Sequence, residues 1–293
     1  MDFFKSTPDH PTPEIARWRD FIEPLLDLRM NGVKPGLKTG LLTLDPFFTI
    51  RPREWTLVSG IPGHGKSTFI DFLMVSMSRL HGWHWAVFSA ENWPLERHAA
   101  TLIAQYCGKR IEDLTEDDFQ KACVWLESTF AFLAPQESDY TVDHLIELLD
   151  KATTDDKSIK GIVIDPWNEL DHARPGAMNE TEYISRCLTK IRRFARSREV
   201  HIFVIAHPTK LQRNKDSDNK EPVPTPYDVS GSAHWRNKAD SCICVWRDLT
   251  QPDNNETEVY IQKIRFREVG KIGMVQLGFS EENGQFYDLW KHS

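Results

Sequence analysis

The apolar run Trp55-Thr56-Leu57-Val58 leads into Gly60-Ile61-Pro62-Gly63-His64-Gly65-Lys66-Ser67-Thr68, and a second apolar run, Phe69-Ile70-Asp71-Phe72-Leu73-Met74, follows. The middle segment is a complete G-x-x-x-x-G-K-[ST] phosphate-binding loop. Its flanks read as strand before and helix after, the context in which the pattern becomes a site. Glycines let backbone N–H groups wrap a polyphosphate with no Cβ in the way. The helix N-terminus adds partial positive charge. Lys66 supplies a point charge for the β- and γ-phosphates, and Ser67 a hydroxyl for Mg²⁺. Gly60, Gly63, His64, Gly65, Lys66, Ser67 and Thr68 are therefore the expected nucleotide-binding residues, with ATP and Mg²⁺ as ligands. His64 stands at a variable position of the loop and has no evident role.

A loop of this kind commits the chain to alternating strands and helices. The expected strands are Trp55–Ser59, Trp85–Ser89, Phe130–Leu133, Gly161–Asp165 and His201–Ala206. Helices are expected between them, over Ser67–Leu80, Leu95–Cys107, Thr115–Glu127, Thr141–Ala152 and Glu180–Ser197. Continuous apolar runs mark strands covered on both faces. The pattern predicts an α/β fold with a mostly parallel sheet and helices on both sides. The end of the chain differs: Ser241–Trp246, Glu258–Phe266, Lys271–Phe279 and Phe286–Trp290 read as strands without helices between them, an antiparallel extension. At 293 residues, one large domain (36–293) and a short arm with linker (1–35) fit the length. In the arm, residues 14–29 place apolar side chains at near-helical spacing, with the helix expected to be interrupted or kinked at Pro24. This amphipathic arm could dock on its own core or on a neighbouring subunit.

Composition narrows the setting. The five cysteines are scattered and odd in number, which implies neither a disulfide framework nor a zinc site. There is no secretory apolar core at the start and no run of membrane-spanning length. A reducing cytoplasm, of a bacterial or phage-infected cell, is the expected compartment, with no membrane partner. The net charge of −7 argues against a protein that coats nucleic acid over its whole surface but leaves room for a local basic channel.

Three strand ends carry further chemistry. Gly161-Ile162-Val163-Ile164-Asp165 is an apolar strand closing on a carboxylate; Asp165 is expected to hold Mg²⁺ beside Ser67, although many strands simply end at a turn-forming aspartate. Hydrolysis also needs a group to orient the attacking water. Glu91 follows the strand Trp85–Ser89, where α/β sheets place their sites; Glu169, beyond the metal strand, is the alternative. His207 ends another strand and could sense a γ-phosphate or be structural.

Two basic regions complete the inventory. The stretch Thr209–Asp240 is long and polar for a connection in a compact domain. It carries Lys210, Arg213, Lys215, Arg236 and Lys238, candidate contacts to a nucleic-acid backbone. In Lys263-Ile264-Arg265-Phe266-Arg267, basic and apolar residues alternate, so on a strand the three cations share one face. That face is either solvated or offered to a phosphate bound by another subunit, as an arginine finger in trans.

Taken in order, these segments resemble the RecA-like hexameric replicative DNA helicases, a group that includes DnaB-like helicases, phage primase-helicases and the mitochondrial Twinkle type. The resemblance covers about residues 36–280. It rests on Lys38-Thr39-Gly40-Leu41-Leu42-Thr43-Leu44-Asp45, the loop Gly60–Thr68, Ser89-Ala90-Glu91-Asn92, Ile162–Asp165, Ala206-His207-Pro208, Ser230 through Asp240, and Lys263-x-Arg265-Phe266-x-x-Val269-Gly270. It implies a RecA-like P-loop NTPase acting as an ATP-dependent helicase on single-stranded DNA in replication. Glu91, Lys66, His207, Arg265 and Lys263 would be its catalytic residues, working in a homo-oligomeric ring with a separate primase or loader. The first 35 residues are too few for the family's primase or helical N-terminal domain, so priming is not expected of this polypeptide. Pro166-Trp167-Asn168 is nearer to phage-type sequences than to bacterial ones. A RecA/RadA-like recombination or loader ATPase is the alternative, and a P-loop small-molecule kinase a distant third.

Overall fold

Every residue of Trp55–Ser59 is buried, and its side chains alternate between two separate apolar cores. Trp55 and Leu57 enter one, Val58 the other. The strand His201–Ile205 does the same, with Ile202 and Val204 facing one core and Phe203 and Ile205 facing the other. This is the physical reason for the continuous apolar runs: a period-two ribbon covered on both faces needs apolar residues at every position. The computed structural model describes residues 15–134, 141–170, 176, 178–209, 221–229, 233–251 and 254–291.

A nine-stranded sheet organises the chain. Its strands are β1 (Trp55–Ser59), β2 (His84–Ser89), β3 (Phe130–Leu133), β4 (Ile159–Asp165), β5 (His201–Ile205), β6 (Ser241–Trp246), β7 (Glu256–Ile264), β8 (Gly273–Phe279) and β9 (Phe286–Asp288). The spatial order is β3-β2-β4-β5-β1-β6-β7-β8-β9. From β3 to β6 all neighbours are parallel, and from β6 to β9 all are antiparallel. The expected mixed sheet with an antiparallel C-terminal extension is what forms.

The helices are α1 (Ile22–Asn31), α2 (Lys66–His81), α3 (Leu95–Cys107), α4 (Glu116–Thr129), α5 (Val142–Asp155), α6 (Glu180–Arg198) and α7 (Ala233–Lys238). One core includes Phe69, Leu73 and Met77 of α2 and Leu102 of α3, with Trp85, Phe203 and Ile243 from the sheet. The opposite core joins Leu149 of α5, Leu188 and Phe194 of α6 and Trp235 of α7 to Trp55, Phe88 and Ile162. Helix starts fall where side-chain caps exist. Thr115 accepts from the Asp118 N–H, Thr141 from His144 and Asn179 from Glu182, each satisfying a donor the helix itself leaves over.

Several boundaries differ from expectation. The arm is not one kinked helix. A 3-10 turn covers Trp18–Asp20 and α1 begins only at Ile22, which puts Pro24 in the first turn. There its missing N–H breaks no helical bond and its fixed φ suits the start. α1 runs on through Asn31 and buries none of its residues. β7 stops at Ile264, short of the expected Phe266, and the chain turns over residues 265–269. β9 ends at Asp288, because Leu289–Lys291 turn as a 3-10 helix.

Gly161 shows how closely the sheet and α2 fit. It pairs with Trp85 across β2 and β4, and a Cβ added there would lie 2.1 Å from the Trp85 ring. That indole is fully buried and donates to Ser78 Oγ on α2 at 3.1 Å. Gly161→Val is expected to destabilise the protein by about 1–3 kcal/mol through overpacking, read as a lower urea midpoint at unchanged slope.

Candidate nucleotide site

The six parallel strands end along one edge, and every candidate of the nucleotide site sits there. β1 delivers the phosphate loop, β2 Glu91, β4 Asp165 and β5 His207. The register keeps them adjacent: Ser89 lies opposite Asp165, Val58 opposite Ile205 and Ser59 opposite Cys244.

Leaving β1, the chain passes so close to β6 that a Cβ on Gly60 would lie 2.4 Å from the Val245 carbonyl. Gly60 also takes φ 149°, and Gly63 and Gly65 take φ 84°, values that L side chains rarely adopt. A Cβ on Gly63 or Gly65 would meet nothing within 4 Å, so backbone conformation rather than crowding favours glycine at these two positions. α2 then starts at Lys66 with no side-chain cap, which leaves its first N–H groups for an anion. Lys66 is buried, and its ammonium donates to the Ile61 carbonyl at 3.0 Å. Burial lowers its pKa, and Asp165 and Glu91 oppose that.

Asp165 is the most perturbed group at this edge. Burial pushes its pKa up from 3.8 to about 7. A hydrogen bond from Ser67 and the charge of Lys66 work the other way, while Asp71 and Glu91 add to the rise. Its Oδ1 is buried and has no hydrogen-bond partner. An orphaned carboxylate oxygen beside a hydroxyl, with two further carboxylates nearby, is a donor set suited to a hard divalent cation. Ser67 and Asp165 thus fit Mg²⁺.

Glu91 and His207 meet directly, with His207 Nε2 3.1 Å from Glu91 Oε1. The His207 backbone N–H donates to Asn168 Oδ1 at 2.8 Å. Glu169, the other candidate base, lies exposed on the 3-10 turn Trp167–Glu169, and it is its neighbour Asn168 that reaches His207.

Sequence reasoning passed over three contributors. Asn168 was visible only as part of an unusual stretch after Asp165. Asp71 stands one turn after Ser67 on the same face of α2, a spacing that could have revealed it. Its partner His98, on α3, gave no signal. His98 Nε2 lies 2.9 Å from Asp71 Oδ1, both buried. Burial disfavours the charged ring, but the charge and hydrogen bond of Asp71 outweigh it and raise the His98 pKa. His64 also gains surroundings: it is buried, and its Nδ1 accepts from the Arg247 N–H at 3.0 Å.

The basic candidates divide. Lys263 and Arg265 lie at the opposite edge of the sheet, since Ile264 pairs with Ser241 at the start of β6. Lys263 Nζ donates to the carbonyls of Arg236 and Ala239. Arg265 donates to Asn237 O at 2.9 Å and pairs with the buried Asp240 carboxylate at 2.9 Å. Arg267 does not join them; β7 has ended, and its side chain is 95% exposed beside Glu268. Lys238 is also redirected. Its ammonium donates to Ser185 O and Thr189 Oγ1 of α6, so it is engaged inside the fold rather than offered to a nucleic acid. Arg236 lies over the Tyr227 ring at 5.5 Å. Lys210, Arg213 and Lys215 fall outside the described residues, as do Ser230, Gly231 and Ser232. All five cysteines are free, and among the described residues no helix is long and apolar enough to cross a membrane.

Comparisons with known proteins bear on the family and the fold. Residues 36–288 match the profile of the DnaB-like helicase C terminal domain. The chain is 33% identical over 294 aligned positions to the Twinkle homolog protein, chloroplastic/mitochondrial, of Arabidopsis thaliana. The alignment takes in 95% of this chain but spans only 40% of that protein's length. Among solved structures, the ATPase domain of G40P superposes with a TM-score of 0.71 at 20% identity, covering 92% of this chain and 98% of that one. A DnaB-like replicative helicase, solved in a study of its interactions with primase, gives 0.72 at 20% identity over 92% and 67% of the two chains. At that identity the structural matches show the fold.

The raised Asp165 pKa has a stability consequence. A carboxyl whose folded pKa exceeds its unfolded value binds its proton more tightly in the fold, so it weakens the nucleotide-free fold as pH rises from about 4 towards 7. At pH 8, Asp165→Asn is expected to stabilise the nucleotide-free protein by on the order of 1–3 kcal/mol, with the difference gone only below the unfolded carboxyl pKa, at about pH 3. Denaturant titrations of both proteins across that range, without Mg²⁺ or nucleotide, measure it.

Proposed function

The chain belongs to the DnaB-like helicase C-terminal domain family, and from that premise we propose that it hydrolyses ATP at interfaces between identical subunits to move along single-stranded DNA and unwind duplex during replication. The observation that carries this reading is the hydrogen bond between Glu91 and His207 at the edge that also holds Lys66, Ser67 and Asp165.

The chain's own residues divide the work. The loop Gly60–Thr68 wraps the phosphates, and Lys66 holds the β- and γ-phosphate charge. Ser67 and Asp165 hold Mg²⁺, which when bound supplies neutralising charge on the phosphate oxygens. Glu91 orients the attacking water and accepts its proton. His207 bonds the carboxylate of Glu91, so a change at the γ-phosphate reaches β5 and the connection behind it. Asn168 fixes the backbone of His207 while that happens.

Lys263 and Arg265 cannot serve the phosphate loop of their own chain, because the length of the sheet, roughly 15 Å, lies between. That placement supports the reading in which they reach a neighbour's nucleotide. Asp240 and the carbonyls at the end of α7 hold both cations in one place until then. Arg236 and the connection carrying Lys210, Arg213 and Lys215 are the proposed track for the DNA backbone. A separate primase or loader is the proposed partner, and a reducing, DNA-containing compartment the proposed setting.

ATPase activity is expected to rise severalfold or more with single-stranded DNA, and a forked duplex to be unwound. Activity indifferent to DNA overturns the reading; stimulation without unwinding favours a recombination or loader ATPase. Arg265→Lys, which keeps the pair with Asp240, is expected to bind ATP normally and lose on the order of 10³ in kcat. Mixing it with Lys66→Ala subunits should restore part of the activity, since some junctions then join an intact loop to an intact arginine. No recovery at any ratio removes the shared site.

A further inference from the structure

His64 turns its side chain into the protein, where it is 1% exposed. The Arg247 N–H, one residue past β6, donates to Nδ1 at 3.0 Å. An accepting Nδ1 places the proton of the neutral ring on Nε2. Nε2 lies 3.4 Å from the carboxylate of Glu221, an ion-pair distance without the geometry of a hydrogen bond, so that buried nitrogen has no hydrogen-bond partner among the described residues of the nucleotide-free chain. Glu221 opens the described segment 221–229 of the polar connection between β5 and α7. Its carbonyl accepts from Trp246 Nε1 at 3.1 Å, and the Trp246 ring stands 6.0 Å from the His64 ring. The far end of the segment returns to His207: Asp228 O accepts from the Thr209 N–H at 2.7 Å, and Val229 bridges to Pro208. The segment is therefore attached to the chain after β5 through Pro208 and Thr209, to the end of β6 through Trp246, to β7 through Gln262, and to the phosphate loop through His64.

We propose that His64 is a positioning residue, which through Glu221 ties the wrapped form of the phosphate loop to the placement of segment 221–229. The link to DNA rests on the function proposed above; the link between loop and segment does not. Glu221 can take the Nε2–H only when the loop holds His64 in place, and the loop is held in turn by whatever fixes Glu221. Binding phosphates and ordering the segment then favour each other by the same factor. The contact is partly enclosed, since the His64 side chain is 2% and Glu221 33% exposed. A small shift that turns the Nε2–H onto the Glu221 carboxylate would make a charge-assisted bond, worth more there than on an open surface.

Hydrogen exchange at the amides of residues 221–229, in the full chain with and without Mg²⁺ and the non-hydrolysable analogue AMP-PNP, tests the link. The wild-type segment is expected to exchange about fivefold more slowly with nucleotide, in the usual range for coupled sites. Glu221→Gln and His64→Ala should each remove most of that increment, and the double variant should lose no more than either alone. His64→Gln, whose amide can reach Glu221, should retain a good part of it. AMP-PNP affinity of Glu221→Gln should fall by no more than the same factor, about fivefold. Nucleotide-dependent protection in Glu221→Gln equal to the wild type, or none in the wild type, overturns the proposal. An ATPase that ignores DNA while the protection behaves as described would instead remove only the DNA reading.

Discussion

The contact between Gly60 and the Val245 carbonyl fixes where the chain can go after β1. No side chain fits between these backbones, so the loop must leave the sheet over β6. Lys66 then folds back to Ile61, His64 is anchored by Arg247, and α2 starts with its N–H groups facing the concavity. The rest of the catalytic edge follows from parallel pairing. Strands running the same way bring Ser89 beside Asp165 and Val58 beside Ile205, so residues far apart in the chain arrive at one place.

The same edge concentrates unlike charges, Asp165, Asp71, His98 and Lys66 buried and Glu91 exposed. Asp165, Asp71 and Glu91 outnumber Lys66 there, and His98 balances Asp71 from beneath. Burial is the largest influence on Asp165 and Lys66 and works against their charged forms, whereas the charge and hydrogen bond of Asp71 raise the His98 pKa over the cost of burial, so that pair favours the folded chain. A polyphosphate and its cation, bound as proposed, would offset the charge imbalance left at Asp165.

Much of this could be read from the chain alone, for identifiable reasons. Strands buried on both faces show as unbroken apolar runs, and Trp55–Ser59, Phe130–Leu133 and Ser241–Trp246 fall where those runs lie. Helix starts were legible wherever a Thr or Asn cap precedes an acidic turn. What escaped depended on partners distant in sequence. Lys238 looks like a surface cation until the carbonyl of Ser185 is beside it. The alternation from Lys263 to Arg267 suggests one long strand, yet β7 ends where the Arg265 N–H bonds the Asp240 carbonyl and the chain turns away. The burial of His64 needs three segments, and periodicity in one of them does not announce it. Asn168 is exposed and acts through a single bond to a backbone N–H, which no residue pattern encodes.

Arg265 and the phosphate loop lie on opposite rims of one sheet, and this has a consequence for assembly. A two-fold dimer can pair the loop of one subunit with the arginine of the other only if a single surface carries both. If the proposed shared site instead joins the two rims head to tail, an open row of subunits has one unused loop and one unused arginine at its ends. The number of complete sites is therefore one fewer than the number of subunits until the row closes on itself. Under that proposal, closure would add the last site without any new kind of contact, so a shared site would reward a ring over an open row.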